Sequence, residues 1–372
     1  MNNVSLRIAD LRKKNRLTQQ ELADSIGVSF QTISKWETGI SMPDIVMLPV
    51  LSEYFQVSTD QLLGLKPLDG ETYNPEKTAT KDFWNNKLDY LLKTRRGYWN
   101  DDYIAFLISH VWKIDKPIHV LDCGCGYGFL GLLLLPYLPE GSTYTGIDFA
   151  EDLIKKGKCL FAEQGLDATF LCKDIFAHSA ENQYDLVICQ AVLRHLDNPT
   201  AFLQKMITFA KPDAYVVSID ANREFECCGL YIDGMDYQEL CRHEGLEKKW
   251  QTELTRQGRD YAVAIRTAHM MQKLGLTDVD VRMNDKVEFI TPQLPDYAEI
   301  RNDFIAYNDW TSGISAEEKE KLIRYLLTHG LSHKEAEDYC NRNVAIAAFF
   351  SANPTAGYTF MKGQMISYGK KA

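Results

Sequence analysis

The 372 residues hold no apolar run long enough to cross a bilayer. The most apolar stretch, FLGLLLLPYL, is interrupted by Pro136 and falls well short of the roughly 20 residues a spanning helix needs. The opening segment, MNNVSLRIADLRKKN, lacks the apolar core of a secretory signal, so a cytoplasmic location and no membrane partner are expected. No Cys-x-x-Cys pair occurs among the nine cysteines; Cys123 and Cys125 flank one glycine, and Cys227 and Cys228 are adjacent. That irregular spacing excludes a disulfide framework and a zinc site, so reduced and mostly buried thiols are expected and no metal. Internal repeats and low-complexity tracts are also missing. Positive charge is in short supply, with 41 Lys and Arg against 51 Asp and Glu for a net −10. Residues 1–66 contain seven basic and seven acidic side chains, so the remainder carries the whole deficit. An acidic body repels nucleic acid, and any DNA contact belongs to the neutral N-terminal segment, with modest non-specific affinity.

What is present is ordinary globular material, 45% hydrophobic and 25% charged, in a chain too long for one hydrophobic core. Over residues 4–64 apolar residues fall at helical spacing: Ile8 with Leu11, Leu22 with Ile26, Ile33 with Trp36, and Ile45 with Leu48 and Leu51. Thr18 with Glu21 three residues later is a capping box. The polar, proline-bearing stretch 66–80 reads as a linker between a domain at 1–65 and one at 81–372. Residues 81–115 are helical in pattern and rich in aromatics. Beyond them, short β-rich runs (IHVLDC, STYTGID, ATFLCKD, YDLVICQ, AYVVSID) alternate with helix-length segments, the texture of an α/β fold with a parallel sheet and crossover helices. Two more strands are expected at 278–283 and 364–369. The mostly helical interval between them, 286–355, reads as an insertion that could cap a pocket.

In TQQELADSIGVSFQTISKWE, Ala23 is small where two helices would meet, Gly27 stands where a turn needs positive φ, and Ile33 returns to the core. This segment resembles the helix-turn-helix of the lambda-repressor-like (Cro-type) regulators. The resemblance implies an all-α DNA-binding domain that reads double-stranded DNA as a homodimer, with Ser29 to Trp36 as recognition helix. Its contact candidates are Ser29, Phe30, Gln31, Thr32 and Lys35; Gln31 suits an adenine edge and Lys35 a phosphate or guanine. Gln19, opening the preceding helix, is a phosphate candidate. The plainer alternative is a helical bundle kept for dimerisation or docking.

VLDCGCGYG places a carboxylate at a strand end and then Gly124, Gly126 and Gly128, glycines that bring backbone N–H groups close to a ligand at the mouth of a sheet. The alternate spacing departs from the dinucleotide Gly-x-Gly-x-x-Gly, and the Gly-Lys-Ser/Thr ending of the Walker loop is absent. With Asp148 closing YTGIDFA, Asp174 closing LCKDIF, and YDLVICQAVLRHL following, the stretch resembles the class I S-adenosylmethionine (SAM)-dependent methyltransferases over about residues 81–284. That resemblance implies a Rossmann-like seven-stranded fold and SAM as cofactor. Carried over, Asp122, Gly124 and Gly126 lie by the methionine moiety, Asp148 takes the ribose hydroxyls, Asp174 and the N–H of Ile175 meet the adenine, and Gln190 lines the methyl-bearing end.

Methyl transfer from a sulfonium needs chiefly a well-placed nucleophile and no water. His195 is the candidate proton acceptor, the alternative being a histidine bonded to backbone near the cofactor. CQAVLRHL holds neither the Asp/Asn/Ser-Pro-Pro-Tyr/Phe segment nor the Pro-Cys nucleophile of DNA methylases that share the fold. A small-molecule acceptor is therefore expected, bound under 286–355 and 224–275. Two functions stand: a small-molecule methyltransferase fused to a transcriptional regulator domain, or a regulator whose methyltransferase-like domain senses SAM or a metabolite without turnover.

Overall fold

The computed structural model describes residues 6–63, 91, 97–240, 245–308, 310 and 315–372. The linker expected at 66–80 lies outside them, as does most of 81–96. Two compact units make up the chain, Met1–Asn74 and Pro75–Ala372.

The described residues of the first unit form five short helices, α1 (Ile8–Lys14), α2 (Gln19–Ile26), α3 (Phe30–Glu37), α4 (Met47–Phe55) and α5 (Thr59–Leu62). Thr18 starts α2 through both bonds of its box: the Glu21 N–H donates to Thr18 Oγ1 at 3.2 Å and the Thr18 N–H to Glu21 Oε2 at 2.7 Å. Gly27 stops it at φ 74°, a left-handed conformation that a Cβ disfavours. Ala23 and Ile33 are fully buried between α2 and α3. Ile45 departs from expectation: it precedes α4, in a turn where the Asp44 carboxylate accepts from the Val46 N–H, and is 77% exposed. Arg12 of α1 ties the unit together by donating to both carboxylate oxygens of Glu37, at 2.6 and 3.0 Å. Arg12→Ala removes the countercharge of that nearly buried carboxylate, so the N-terminal unit is expected to lose about 1.5–3 kcal/mol; calorimetry of the full chain should show its unfolding at lower temperature, and an unchanged transition would refute the role.

The second unit is built on a seven-stranded sheet in the order β3-β2-β1-β4-β5-β10-β7. The strands are β1 (His119–Cys123), β2 (Thr143–Asp148), β3 (Ala168–Cys172), β4 (Tyr184–Gln190), β5 (Ala210–Ala221), β7 (Leu276–Met283) and β10 (Gln364–Lys371). Helices Phe129–Leu134, Glu151–Glu163, Pro199–Phe209 and Val263–Lys273 fill the connections. Both faces are covered, which is why β1 and β4 read as nearly continuous apolar runs: Val120 and Ile188 enter one core, Leu121 and Val187 the other. The expected parallel arrangement has one exception, since β10 runs antiparallel between β5 and β7.

A second sheet, β6-β9-β8, joins Leu230–Ile232 (β6), Tyr358–Met361 (β9) and Val287–Ile290 (β8) in antiparallel pairs. It packs with helices Tyr297–Tyr307 and His333–Ala352 around a core of its own, where the Phe304 and Tyr358 rings stack 4.0 Å apart. Helix Ala316–Thr328 lies beside the last of these. The interval after β7 is thus not only helical, because β8 and β9 flank its helices. Among the described residues no helix is long and apolar enough to cross a membrane.

Candidate active site

The site is assembled where β1, β2 and β4 end. After β1 the chain turns so tightly that Gly124 and Cys125 both donate to the carbonyl of Ile147 on β2, at 2.8 and 3.1 Å. Gly124 has φ 74°, and a Cβ there would sit 2.7 Å from Val192 Cγ2. The Gly126 N–H donates to Asp148 Oδ2 at 2.9 Å, while Asp148 Oδ1 accepts from the Ala150 N–H at 2.8 Å. Burial raises the Asp148 carboxyl above the ordinary aspartate range, and these backbone N–H groups oppose the rise. Asp122, 1% exposed, accepts from the Tyr144 hydroxyl at 2.7 Å.

These groups border one hollow, whose space, the open solvent at its mouth included, is about 760 Å³. Asp122, Gly124, Gly126, Asp148, Gln190 and His195 all line it. Gln190 is buried and its Nε2 has no hydrogen-bond acceptor. Ala191, at φ 56°, turns the chain out of β4 so that Val192 reaches the glycine turn. Asp174 and Ile175 stand apart from this lining. Asp174 is exposed and its Oδ1 accepts from the Phe176 N–H at 2.8 Å, capping the turn Ile175–Ala177, while Ile175 packs into the core beside Leu121. Other lining residues escaped sequence reasoning, among them Leu91, Phe149 and Leu196. Phe149 had a signal, an aromatic directly after the strand-end Asp148 and 38% exposed; Leu91 had none.

His195 ends the turn Leu193–His195, and its Nε2 accepts from Arg194 Nε at 3.3 Å, which places the ring proton on Nδ1. Below the same turn Asp220 is 1% exposed, with Oδ2 accepting from Ser218 Oγ at 3.3 Å. Burial pushes Asp220 up to about 6, against the pull of Arg194. The folded protein therefore binds a proton here that the unfolded chain, near the ordinary 3.8, releases earlier, and stability falls as pH rises from about 4 through 6. At about 1.4 kcal/mol per pH unit this costs about 2–3 kcal/mol above pH 7. Asp220→Asn is expected to raise the melting temperature at pH 8 and barely change it at pH 4; equal effects at both would refute the assignment.

In the first unit, Ser29, Gln31 and Lys35 are exposed on α3, Phe30 is 45% exposed and Thr32 half-buried. Gln31 and Lys35 are one helical turn apart and share a face. Ser29 spends its hydroxyl on the cap, accepting from the Thr32 N–H and bonding Thr32 Oγ1 at 2.8 Å. The side chain of Gln19 is turned inward, donating to Glu37 Oε2 at 2.7 Å. Its amide is thereby part of the Arg12–Glu37 pair.

Residues 114–277 match the family model of a methyltransferase domain, and residues 8–62 that of a helix-turn-helix. Among curated proteins, the ubiquinone biosynthesis O-methyltransferase of Coxiella burnetii is 31% identical over 123 residues, 33% of this chain and 51% of that protein. The protein of the same name from Rickettsia felis is 22% identical over 218 residues, 59% of this chain and 83% of that one. The chain thus spans about half the length of the first of these relatives. Among solved structures, a phosphoethanolamine N-methyltransferase 2 from Haemonchus contortus in complex with S-adenosyl-L-methionine aligns over 80% of this chain and 59% of that one, with 12% identity and a TM-score of 0.41. The chain carries a domain of the methyltransferase family over residues 114–277, preceded by a helix-turn-helix domain over residues 8–62.

Proposed function

We propose that the second unit transfers a methyl group from SAM to a small molecule and that the first binds DNA sequence-specifically as a homodimer. The observation that carries the enzymatic reading is the convergence of Asp122, Gly124, Gly126, Asp148 and Gln190 on one hollow. Each Asp148 oxygen accepts one backbone N–H and keeps a second lone pair, which suits it to hold two ribose hydroxyls. The glycine turn offers a ligand close approach to backbone, and Gln190 Nε2 has a hydrogen bond to give at the methyl end. Asp174 and Ile175 are assigned to the adenine end, which requires ligand to extend past the hollow described above.

SAM, when bound, supplies an electrophilic methyl on a sulfonium. The chain's own part is to align the nucleophile and exclude water. His195 is placed at that end, but its Nε2 already accepts from Arg194. That bond favours a role in holding the site's geometry; proton removal by His195 would require Arg194 to move. The acceptor is taken to lie between the sheet's C-terminal edge and the segments 224–275 and 286–355, the latter as cap.

Transfer of radiolabelled methyl from SAM into host extract tests this reading, with Asp148→Ala as control. Label in a small molecule supports it. Label in DNA or RNA overturns the acceptor assignment, and SAM binding without any label leaves the sensing role in its place. For the first unit, Gln31→Ala is expected to weaken specific operator binding about tenfold, since a bidentate base contact is worth about 1–3 kcal/mol. Unchanged binding in a gel-shift titration against selected operators would remove α3 as the reading helix.

A further inference from the structure

Beyond the methyl-bearing end of the hollow lies a concentration of positive charge that the acidic composition of the chain did not announce. After β4, Arg194 reaches in two directions. Its Nε donates to His195 on the hollow's wall, and its Nη1 stands 3.9 Å from Glu226 Oε2. After β5, helix Arg223–Cys228 presents Arg223, whose Nη1 pairs with the same Glu226 oxygen. The Glu226 side chain is 9% exposed, yet Arg223 keeps 45% of its side-chain surface accessible.

Four more cations act on this centre. Lys362, in the connection between β9 and β10, lies 3.9 Å over the Tyr98 ring and within electrostatic reach of Glu226. Lys249 stands 3.7 Å from Glu253. Arg259 acts on Lys249, and Arg342 on Cys227. The carboxylates facing these six cations are Glu226, Glu253 and Asp220. Burial first, then Arg223 and Arg259, push Lys249 below the ordinary lysine range against the pull of Glu253. Concentrated like charge of this kind is costly unless an anion joins it.

Hydrogen-bond accounting points the same way. Asn222 is wholly buried directly before Arg223; its Oδ1 accepts from the Glu224 N–H at 2.9 Å, and its Nδ2 has no acceptor. Gln190 Nε2 and Arg259 Nε are likewise donors with no acceptor. Next to these donors, Asp220 Oδ1 is an acceptor likewise left over.

We propose that Arg194 and Arg223, with Asn222, form the acceptor subsite, and that the methyl acceptor is a small molecule carrying a carboxylate or phosphate group. The guanidinium forks suit the planar or tetrahedral oxygens of either group, and Arg194 bridges the anion to the wall where methyl transfer is proposed. Glu226 holds both arginines in place and competes with the incoming anion for them. The link to methyl transfer rests on the function proposed above; binding of the anion does not.

The test is calorimetric titration of the full chain with inorganic phosphate and with succinate, at ionic strength held by sodium chloride, in the presence and absence of S-adenosylhomocysteine. One of the two anions is expected to bind at one site, and which one identifies the charged group. Arg223→Gln should weaken it by about tenfold or more, the loss of one charge-assisted bond, with Arg223→Lys intermediate. S-adenosylhomocysteine affinity should stay unchanged in both. Glu226→Gln should tighten the anion several-fold, an effect that general loss of structure cannot imitate. Absence of binding above the chloride control, equal affinity in Arg223→Gln, or weaker binding in Glu226→Gln would overturn the subsite. Anion binding with no binding of S-adenosylhomocysteine would overturn the methyl-donor reading instead and leave the subsite standing.

Discussion

Asp148→Ala is expected to reduce the affinity for S-adenosylhomocysteine by about 100-fold, the loss of two charge-assisted hydrogen bonds at about 1.5 kcal/mol each. The effect has a second source besides the proposed ribose contacts. Asp148 is also the acceptor that fixes the Gly126 and Ala150 N–H groups. Without it, two backbone donors at the mouth of the site lose their partner and the glycine turn is free to drift. Asp148→Asn separates these sources, because its amide oxygen can still accept one of the two N–H groups. An intermediate loss for Asn and a full loss for Ala, measured by calorimetry, is the expected pair of results; affinity unchanged in Asp148→Ala would remove Asp148 from the donor site.

Gly124→Ala is expected to be nearly as damaging from a position with no side-chain chemistry at all. A left-handed φ costs an L-residue about 1–2 kcal/mol. The added methyl would also lie 2.7 Å from Val192 Cγ2, and overpacking of that kind costs about 1–3 kcal/mol. The turn can relieve the clash only by moving away from β4, which opens the distance between the backbone donors and Gln190. Donor affinity and thermal stability should fall together, and Val192→Ala in the same chain should restore part of both. Gly126 provides the comparison: its Cβ would meet only Leu153 Cδ1 at 3.8 Å, so Gly126→Ala should show the backbone cost alone and gain nothing from Val192→Ala. Equal rescue at both positions would show that the contact with Val192 is not what requires glycine.

The glycine turn and Asp148 were legible from sequence because the demands that create them are local. A chain reversing after a strand under a neighbouring strand's carbonyl has little choice of residue, and an aspartate one position past an apolar run stands at a strand end. Asp174 has the same local pattern, and its Oδ1 likewise accepts from the N–H two residues on, but it stands outside the hollow that Asp148 lines. Ile45 fell outside its expected helix because the apolar spacing continued upstream of where α4 begins. The second sheet was beyond local reading. Its strands Leu230–Ile232, Val287–Ile290 and Tyr358–Met361 are three or four residues each and drawn from distant parts of the chain, so no period or turn signal announces that they pair. The basic centre was hidden likewise, because Arg194, Arg223, Lys249 and Lys362 come together only through those distant pairings.

The placement of β10 between β5 and β7 governs the order in which this unit can be completed during synthesis. Strands β1 to β5 emerge in succession and each can pair as it appears with a strand already made, β4 with β1 and the others with the one before. β7 cannot: it touches the sheet only through β10, which is made after both flanking strands of the second sheet and every helix between them. Until then the long edge of β5 stays open and β7 waits without a partner, the condition under which strands pair with the wrong chain. A chain released from a ribosome stalled anywhere in the interval 286–355 would therefore have a finished glycine turn and an unfinished sheet, and quality control would meet it as an aggregation hazard with the edge that bears the hollow already formed.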